Sequence, residues 1–155
     1  MARGELDDYD TRILVALTRD GRLSWRDLAD EIGLSLTPTL RRVKILEASG
    51  YIEGYTARLN ENRLLGAMTV FVSVTLERQV EEALARFETN VSALPEVMGG
   101  FLMSGGTDYL LHAVVRSLEH YQQLLAALTR MPDVAHIQSS FALKTFVRRS
   151  APLLS

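Results

Sequence analysis

Apolar positions recur with a helical period through the first third of the chain and with a two-residue period from Met68 onward. Leu6, Ile13, Leu14 and Leu17 form an apolar stripe on a first helix, with Asp7 or Asp8 placed to cap it and Asp20-Gly21-Arg22 to end it. Ser24, with Asp27 one turn on, gives an acidic variant of the capping box at the start of a second helix. There Leu28, Ala29 and Ile32 repeat at helical spacing; Ala29 allows a close crossing, and Gly33 tolerates the positive φ that stops the helix. Ser35 is placed to cap a third helix, and Pro38 falls in its first turn, where few backbone donors are needed. Ser49-Gly50 is a stop, and Tyr51–Leu59, rich in β-favouring residues and broken by Gly54, predicts a short hairpin or wing. Helix, glycine turn, helix is the sequence form of a helix-turn-helix, whose second helix enters the DNA major groove. The plain alternative is an αα-hairpin within a helical bundle.

Residues 60–67 turn polar and then small, which predicts a linker. Beyond it, Met68–Leu76 predicts a strand and Glu81–Val91 a helix with Leu84, Phe87 and Val91 on one face. Val97–Ser104 and Tyr109–Val115 predict two strands joined by Gly105-Gly106-Thr107-Asp108. Ser117 is placed to cap a helix with the stripe Leu118, Tyr121, Leu125 and Leu128, and Val134–Phe146 predicts a last strand. The expected fold is therefore α+β: a winged helix-turn-helix over 1–59, the linker 60–67, and a βαββαβ, ferredoxin-like domain over 68–155. That layout leaves one sheet face without helices. Val70, Val72 and Val74 alternate with Phe71, and Leu111 with Leu110, so both faces carry apolar residues and the open one calls for a second copy of the chain.

Composition changes this picture only at the margins. A length of 155 residues, 47% hydrophobic and 23% charged, suits one globular domain or two small ones. No apolar run is long enough to span a bilayer, and Met1-Ala2-Arg3-Gly4-Glu5 leads into acidic residues rather than an apolar signal core; a cytoplasmic location is expected. The absence of cysteine excludes disulfides and thiolate metal sites. A net charge of −2 argues against a broadly basic nucleic-acid binder. Charge is nevertheless segregated: Asp7, Asp8, Asp10, Asp27, Asp30 and Glu31 precede Gly33, whereas Arg41, Arg42 and Lys44 follow it. A local basic face can contact phosphates while the acidic remainder limits non-specific adhesion.

On the third helix, Thr39, Val43 and Leu46 form one series able to face the core, and Leu36, Leu40 and Glu47 form a competing one. With that rotation open, the candidate DNA contacts are Ser35, Leu36, Thr37, Thr39, Leu40, Arg41, Arg42 and Lys44. Arg41 suits base readout, since guanidinium pairs bidentately with guanine. Arg42 and Lys44 suit phosphate, with an internal ion pair to Asp10 or Asp30 as the alternative for Arg42. Trp25, beside a helix start, reads as packing rather than base stacking.

In the second half, Gly99-Gly100 interrupts a strand, which marks a bulge or a close backbone approach. The Gly105-Gly106 turn can offer backbone N–H groups to a carboxylate and Asp108 can receive an ammonium, a pairing that suits a zwitterionic amino acid. A hairpin turn needs glycine in any case, and Asp108 is also suited to closing it. No Lys-Ser/Thr follows the glycines, so this is not a phosphate-binding loop. His112, His120 and His136 lack metal-ligand spacing, Met98 and Met103 suit packing, and no nucleophile–base pair or paired-carboxylate motif supports catalysis; neither an enzyme nor a cofactor is expected.

Leu6-Asp7…Asp10…Ile13-Leu14, Gly21-Arg22, Leu28-Ala29, Gly33-Leu34-Ser35, Thr37-Pro38, Arg42-Val43, Leu46-Glu47, Gly50-Tyr51-Ile52 and Gly54-Tyr55-Thr56-Ala57 resemble the Lrp/AsnC family of transcription regulators. Ser104-Gly105-Gly106-Thr107-Asp108-Tyr109-Leu110-Leu111 is similar to that family's effector-binding domain. The resemblance covers nearly the whole chain, departing where many members have proline in place of Leu36. It implies a regulator of transcription that binds double-stranded DNA, dimerises through its β-sheets, often assembles to octamers, and responds to a small molecule, usually an amino acid, bound between dimers. The candidate effector residues are then Met98, Gly100, Met103, Ser104, Gly105, Gly106, Thr107, Asp108 and Tyr109, with Gln138, Ser139 and Ser140 lining the pocket from an adjacent subunit. A ligand-binding module without DNA, or an architectural DNA protein without effector, is the alternative.

Overall fold

The computed structural model describes residues 6–60, 63, 68–149 and 151–152. The chain divides into two compact units, Met1–Arg58 with Val147–Ser155, and Leu59–Phe146. Residues 147–155, expected with the second unit, group with the first. Most of the expected linker lies outside the described residues.

The first unit is built from α1 (Asp8–Arg19), α2 (Trp25–Ile32) and α3 (Leu36–Ala48). Each start follows from local chemistry. Asp7 accepts from the Asp10 N–H while the Asp10 carboxylate accepts from the Asp7 N–H, a complete capping box. Ser24 accepts from the Asp27 N–H and donates to the Asp27 carboxylate. Gly33 ends α2 in the left-handed region at φ 78°, as its place in the sequence requires. Ile13, Ala16, Leu28, Ile32, Val43 and Leu46 make the buried core, two from the inward face of each helix. The hairpin expected over Tyr51–Leu59 does not form: no strand is assigned among residues 51–60. Tyr51 and Ile52 donate instead to the Leu46 carbonyl, and Tyr55 donates to the Glu47 carboxylate at 3.0 Å, so this segment is tied to the end of α3 rather than to itself. Burial and the Glu47 charge push the Tyr55 hydroxyl up to about 12, which keeps that donor protonated.

The second unit runs β1 (Met68–Leu76), α4 (Glu81–Ser92), β2 (Val97–Leu102), β3 (Tyr109–Val115), α5 (Leu118–Thr129) and β4 (Val134–Phe141). The strands form one antiparallel sheet in the order β2-β3-β1-β4. This is the expected βαββαβ topology. Val70, Val72, Val74 and Leu76 point to the helices and are buried with Phe87, Val91, Leu111, Leu124 and Leu128. The predicted stripe of α5 is rotated: Leu124 and Leu128 are its buried residues, and Leu118 is 61% exposed. The last strand ends at Phe141, five residues short of the expected Phe146, and Leu143 and Phe146 are exposed.

The other sheet face carries Phe71, Ser73 and Thr75 of β1, Leu110 and His112 of β3, and Phe101 of β2. Phe71 stacks on His112 with ring centroids 5.2 Å apart, and the Phe101 ring lies 3.6 Å from where a Cβ on Gly99 would stand, an ordinary contact. Apolar at the centre and polar along β4, this face has no cover among the described residues.

Candidate nucleic-acid interface and effector site

The rotation of α3 is fixed by what it buries. Thr39, Val43 and Leu46 face the core, and Thr39 is fully buried because its hydroxyl donates to the Ser35 carbonyl at 2.9 Å. Thr39 is therefore not placed to touch DNA. Ser35 occupies the cap position of α3 but makes no side-chain capping bond; it is exposed, as are Leu36 and Thr37.

The outward stripe comprises Thr37, Leu40, Arg41, Lys44, Ile45 and Ala48, which line a shallow groove of about 530 Å³ along the helix. Four of these were expected contacts. Ile45 and Ala48 were not, although both fall one or two turns beyond Thr37 and Arg41 on the same face. Ile45 is 54% exposed, an apolar group suited to a thymine methyl. Arg41 and Lys44 have no ion-pair partner among the described residues.

Arg42 points elsewhere. One guanidinium nitrogen donates to Asp7 at 2.7 Å and to Asp10 at 2.8 Å, and the group lies 5.3 Å from the centre of the Tyr9 ring. Asp7 sits below the usual carboxylate range, chiefly through the Asp10 N–H and then, against the opposing effect of burial, through Arg42. Hydrogen bonds from Arg42 to Asp10 and Asp7 raise the guanidinium in turn. The expected phosphate contact is thus an internal clamp between α3 and the start of α1, with Asp10 the partner the sequence offered as the alternative. Trp25 is 40% exposed, half packed as expected.

In the second unit, the expected ammonium acceptor is already engaged. Asp108 is 7% exposed; its carboxylate accepts from the Leu76 N–H at 2.7 Å and from the Gln79 amide at 2.6 Å. Its own N–H donates to the Val74 carbonyl and its carbonyl accepts from the Met103 N–H. Asp108 therefore pins the β2–β3 loop to the end of β1. Met103, Ser104, Gly105 and Gly106 are exposed on that loop, with Thr107 half-buried.

A cavity of this unit lies between α4 and the strands β2 and β3, with a volume of about 460 Å³. Of the expected effector residues, Met98, Gly100 and Tyr109 line it; Met103 through Asp108 do not. The ladder shifts register between Val97 and Gly99, the bulge that the glycine pair predicted, and both Val97 and Met98 reach the cavity. Gln138, Ser139 and Ser140 lie on β4, at the opposite edge from β2, and diverge: Ser139 pairs with Val72 on the helix side, whereas Gln138 and Ser140 pair with Ser73 and Phe71 on the open face. The sequence reading missed Glu88 and Phe87, which reach the cavity from α4; Glu88 stands one residue from the predicted apolar stripe and gave no signal of its own. No cluster of residues able to hold a metal occurs among the described residues, and no helix among them is long and apolar enough to cross a membrane.

Known proteins share this two-unit fold. Residues 6–53 match a winged helix-turn-helix DNA-binding model, and residues 69–152 match the Lrp/AsnC ligand-binding domain. The chain is 58% identical over 151 residues to the Bkd operon transcriptional regulator of Pseudomonas aeruginosa, covering 97% of this chain and 99% of that protein. It is 43% identical over 131 residues to the leucine-responsive regulatory protein of Escherichia coli K12, covering 84% and 80% respectively. A transcriptional regulator of Neisseria meningitidis, solved in complex with L-Met, superposes with a TM-score of 0.90 at 33% identity over 96% of this chain and 97% of that one. An AsnC-family regulator of Agrobacterium tumefaciens gives the same TM-score of 0.90 at 33% identity, over 95% and 96%. The chain belongs to the Lrp/AsnC family of DNA-binding transcription regulators, with a helix-turn-helix unit followed by a ligand-binding domain.

Proposed function

We propose that this regulator reads duplex DNA through the outward stripe of α3 and that an apolar amino acid tunes the binding. The observation that carries the first half is the division of labour among adjacent cations: Arg42 is held internally by Asp7 and Asp10, while Arg41 and Lys44 stand on an exposed groove with Thr37 and Leu40. Arg41 is the base-reading residue in this proposal and Lys44 the phosphate contact, with Leu36 and Ser35 at the helix entry alongside. An effector of this class is supported by relatives named for leucine response and solved with L-Met, and by a cavity of the second unit in which Phe87, Val91, Met98 and Leu111 stand beside Glu88, Ser92 and Tyr109.

The same proposal makes the working form a homodimer paired across the open sheet face, assembling further toward an octamer, in a cytoplasmic setting. The support is the apolar centre at Phe71, Leu110 and Phe101, on a face that the helices leave bare. Several modest DNA heads in one assembly also answer the chain's net charge of −2, since linkage raises effective concentration. Fluorescence anisotropy on genomic fragments, across salt and with each of the twenty amino acids, tests the reading. A salt-sensitive affinity that shifts with leucine or methionine is expected; the absence of any salt-dependent DNA binding overturns it.

A further inference from the structure

The groove along α3 is lined by Thr37, Arg41 and Lys44 and by the hydrocarbon side chains of Leu40, Ile45 and Ala48. Neither an amide nor a carboxylate lines it, so adenine finds no bidentate partner there and cytosine N4 no carboxylate acceptor. Glu47, the acid on the same helix, lies outside that lining and accepts from the Tyr55 hydroxyl at 3.0 Å. What the groove offers a base edge is the guanidinium fork of Arg41, one hydroxyl, and apolar surface. Ile45 supplies the most exposed part of that surface: it is more than half exposed, whereas Val43 and Leu46 are buried in the core. The inward series of α3 is complete without it. A single exposed isoleucine is ordinary, but this one shares a groove with Arg41 and Lys44, which have no ion-pair partner among the described residues. It stands four residues beyond Arg41, an advance of about 6 Å along the helix, close to two base steps of about 3.4 Å each.

We propose that Ile45 is a specificity-determining residue that recognises the C5-methyl group of a thymine, about two base steps from the base contacted by Arg41. The inference rests on the reading that the outward stripe of α3 enters the major groove. There the thymine methyl is the only alkyl group that the base edges present, and it alone distinguishes thymine from uracil. Packing that methyl against the Ile45 side chain removes apolar area from water on both partners, an effect of about fourfold in affinity for each methyl buried. Cytosine at the same step is rejected, because its N4 amino group would lie against hydrocarbon without an acceptor.

The test uses the full chain and a duplex recovered by repeated selection from a randomised pool. That duplex is synthesised once with thymine and once with deoxyuridine at every thymine, which removes the methyls and keeps every hydrogen-bonding group. By fluorescence anisotropy the unaltered chain should bind the deoxyuridine duplex at least about fourfold more weakly per DNA head. Ile45→Ala should weaken binding to the thymine duplex and shrink the thymine-to-uracil ratio by about fourfold per head. Ile45→Val, which keeps a branched apolar side chain, should retain most of that ratio, and both variants should melt with the unaltered chain, since the site is exposed. Equal affinity of the unaltered chain for the two duplexes overturns the proposal. A thymine preference that persists undiminished in Ile45→Ala also overturns it, since the methyls then act through DNA shape or another residue. Failure of the unaltered chain to bind any duplex in a salt-dependent way overturns the DNA reading of α3 as a whole.

Discussion

Arg41 and Arg42 are neighbours in sequence but stand about 100° apart around α3, and that angle separates their roles. Arg41 stands on the exposed groove; Arg42 reaches back to Asp7, Asp10 and Tyr9. Composition alone counts three cations on this helix segment, whereas a polyanion meets two. Lys44→Ala should therefore reduce the slope of log affinity against log salt by about one per DNA head, and Arg41→Ala should relax sequence specificity. Arg42→Ala should leave that slope unchanged and instead lower the melting midpoint of the helical unit by a few degrees, measured by circular dichroism. Equal slope changes for Lys44 and Arg42 would refute the division. The pairing was half legible. The acids and the arginine are visible, but their meeting spans more than thirty residues and depends on α1 and α3 crossing, which periodicity does not specify.

At the scale of the element, ends were easier to read than rotations. Asp7, Ser24 and Gly33 each act within one turn, so local chemistry determines them. The two candidate faces of α3 lie about one residue apart, roughly 100° around the helix, and are of similar hydrophobicity. Thr39 decided between them only because Ser35 supplies its hydroxyl with an acceptor. Tyr51–Leu59 went astray for the reverse reason: β-favouring residues need a partner strand, and Tyr55 found the Glu47 carboxylate instead. Asp108 is the most consequential element-scale surprise. Asp108→Ala leaves the buried Leu76 N–H without an acceptor and frees the exposed Gln79 amide. It should cost about 1–3 kcal/mol in urea unfolding of the ligand-binding unit. Loss of ligand binding at full stability would instead return Asp108 to the pocket.

For the molecule as a whole, topology followed from the order of predicted strands and helices, but the choice of inward face did not. Valines and a phenylalanine alternate on β1, and only the cover of α4 and α5 shows that Val70, Val72 and Val74 are inside. Phe71, 39% exposed and stacked on His112, stands at the centre of the proposed pairing face. Phe71→Glu, which places a charge at the centre of the open face, should shift the chain to monomer in sedimentation velocity while leaving its helix content intact. An unchanged sedimentation coefficient would remove this face from the interface.

The central strand has a further property. Because β1 is flanked by β3 and β4, its valines and its Phe71, Ser73 and Thr75 occupy strictly opposite sides over the whole paired length. Deleting one residue from its N-terminal part would invert that assignment for the residues upstream, sending hydroxyls into the hydrocarbon interior and valine into water. β1 can therefore absorb changes of side chain far more readily than any change of length.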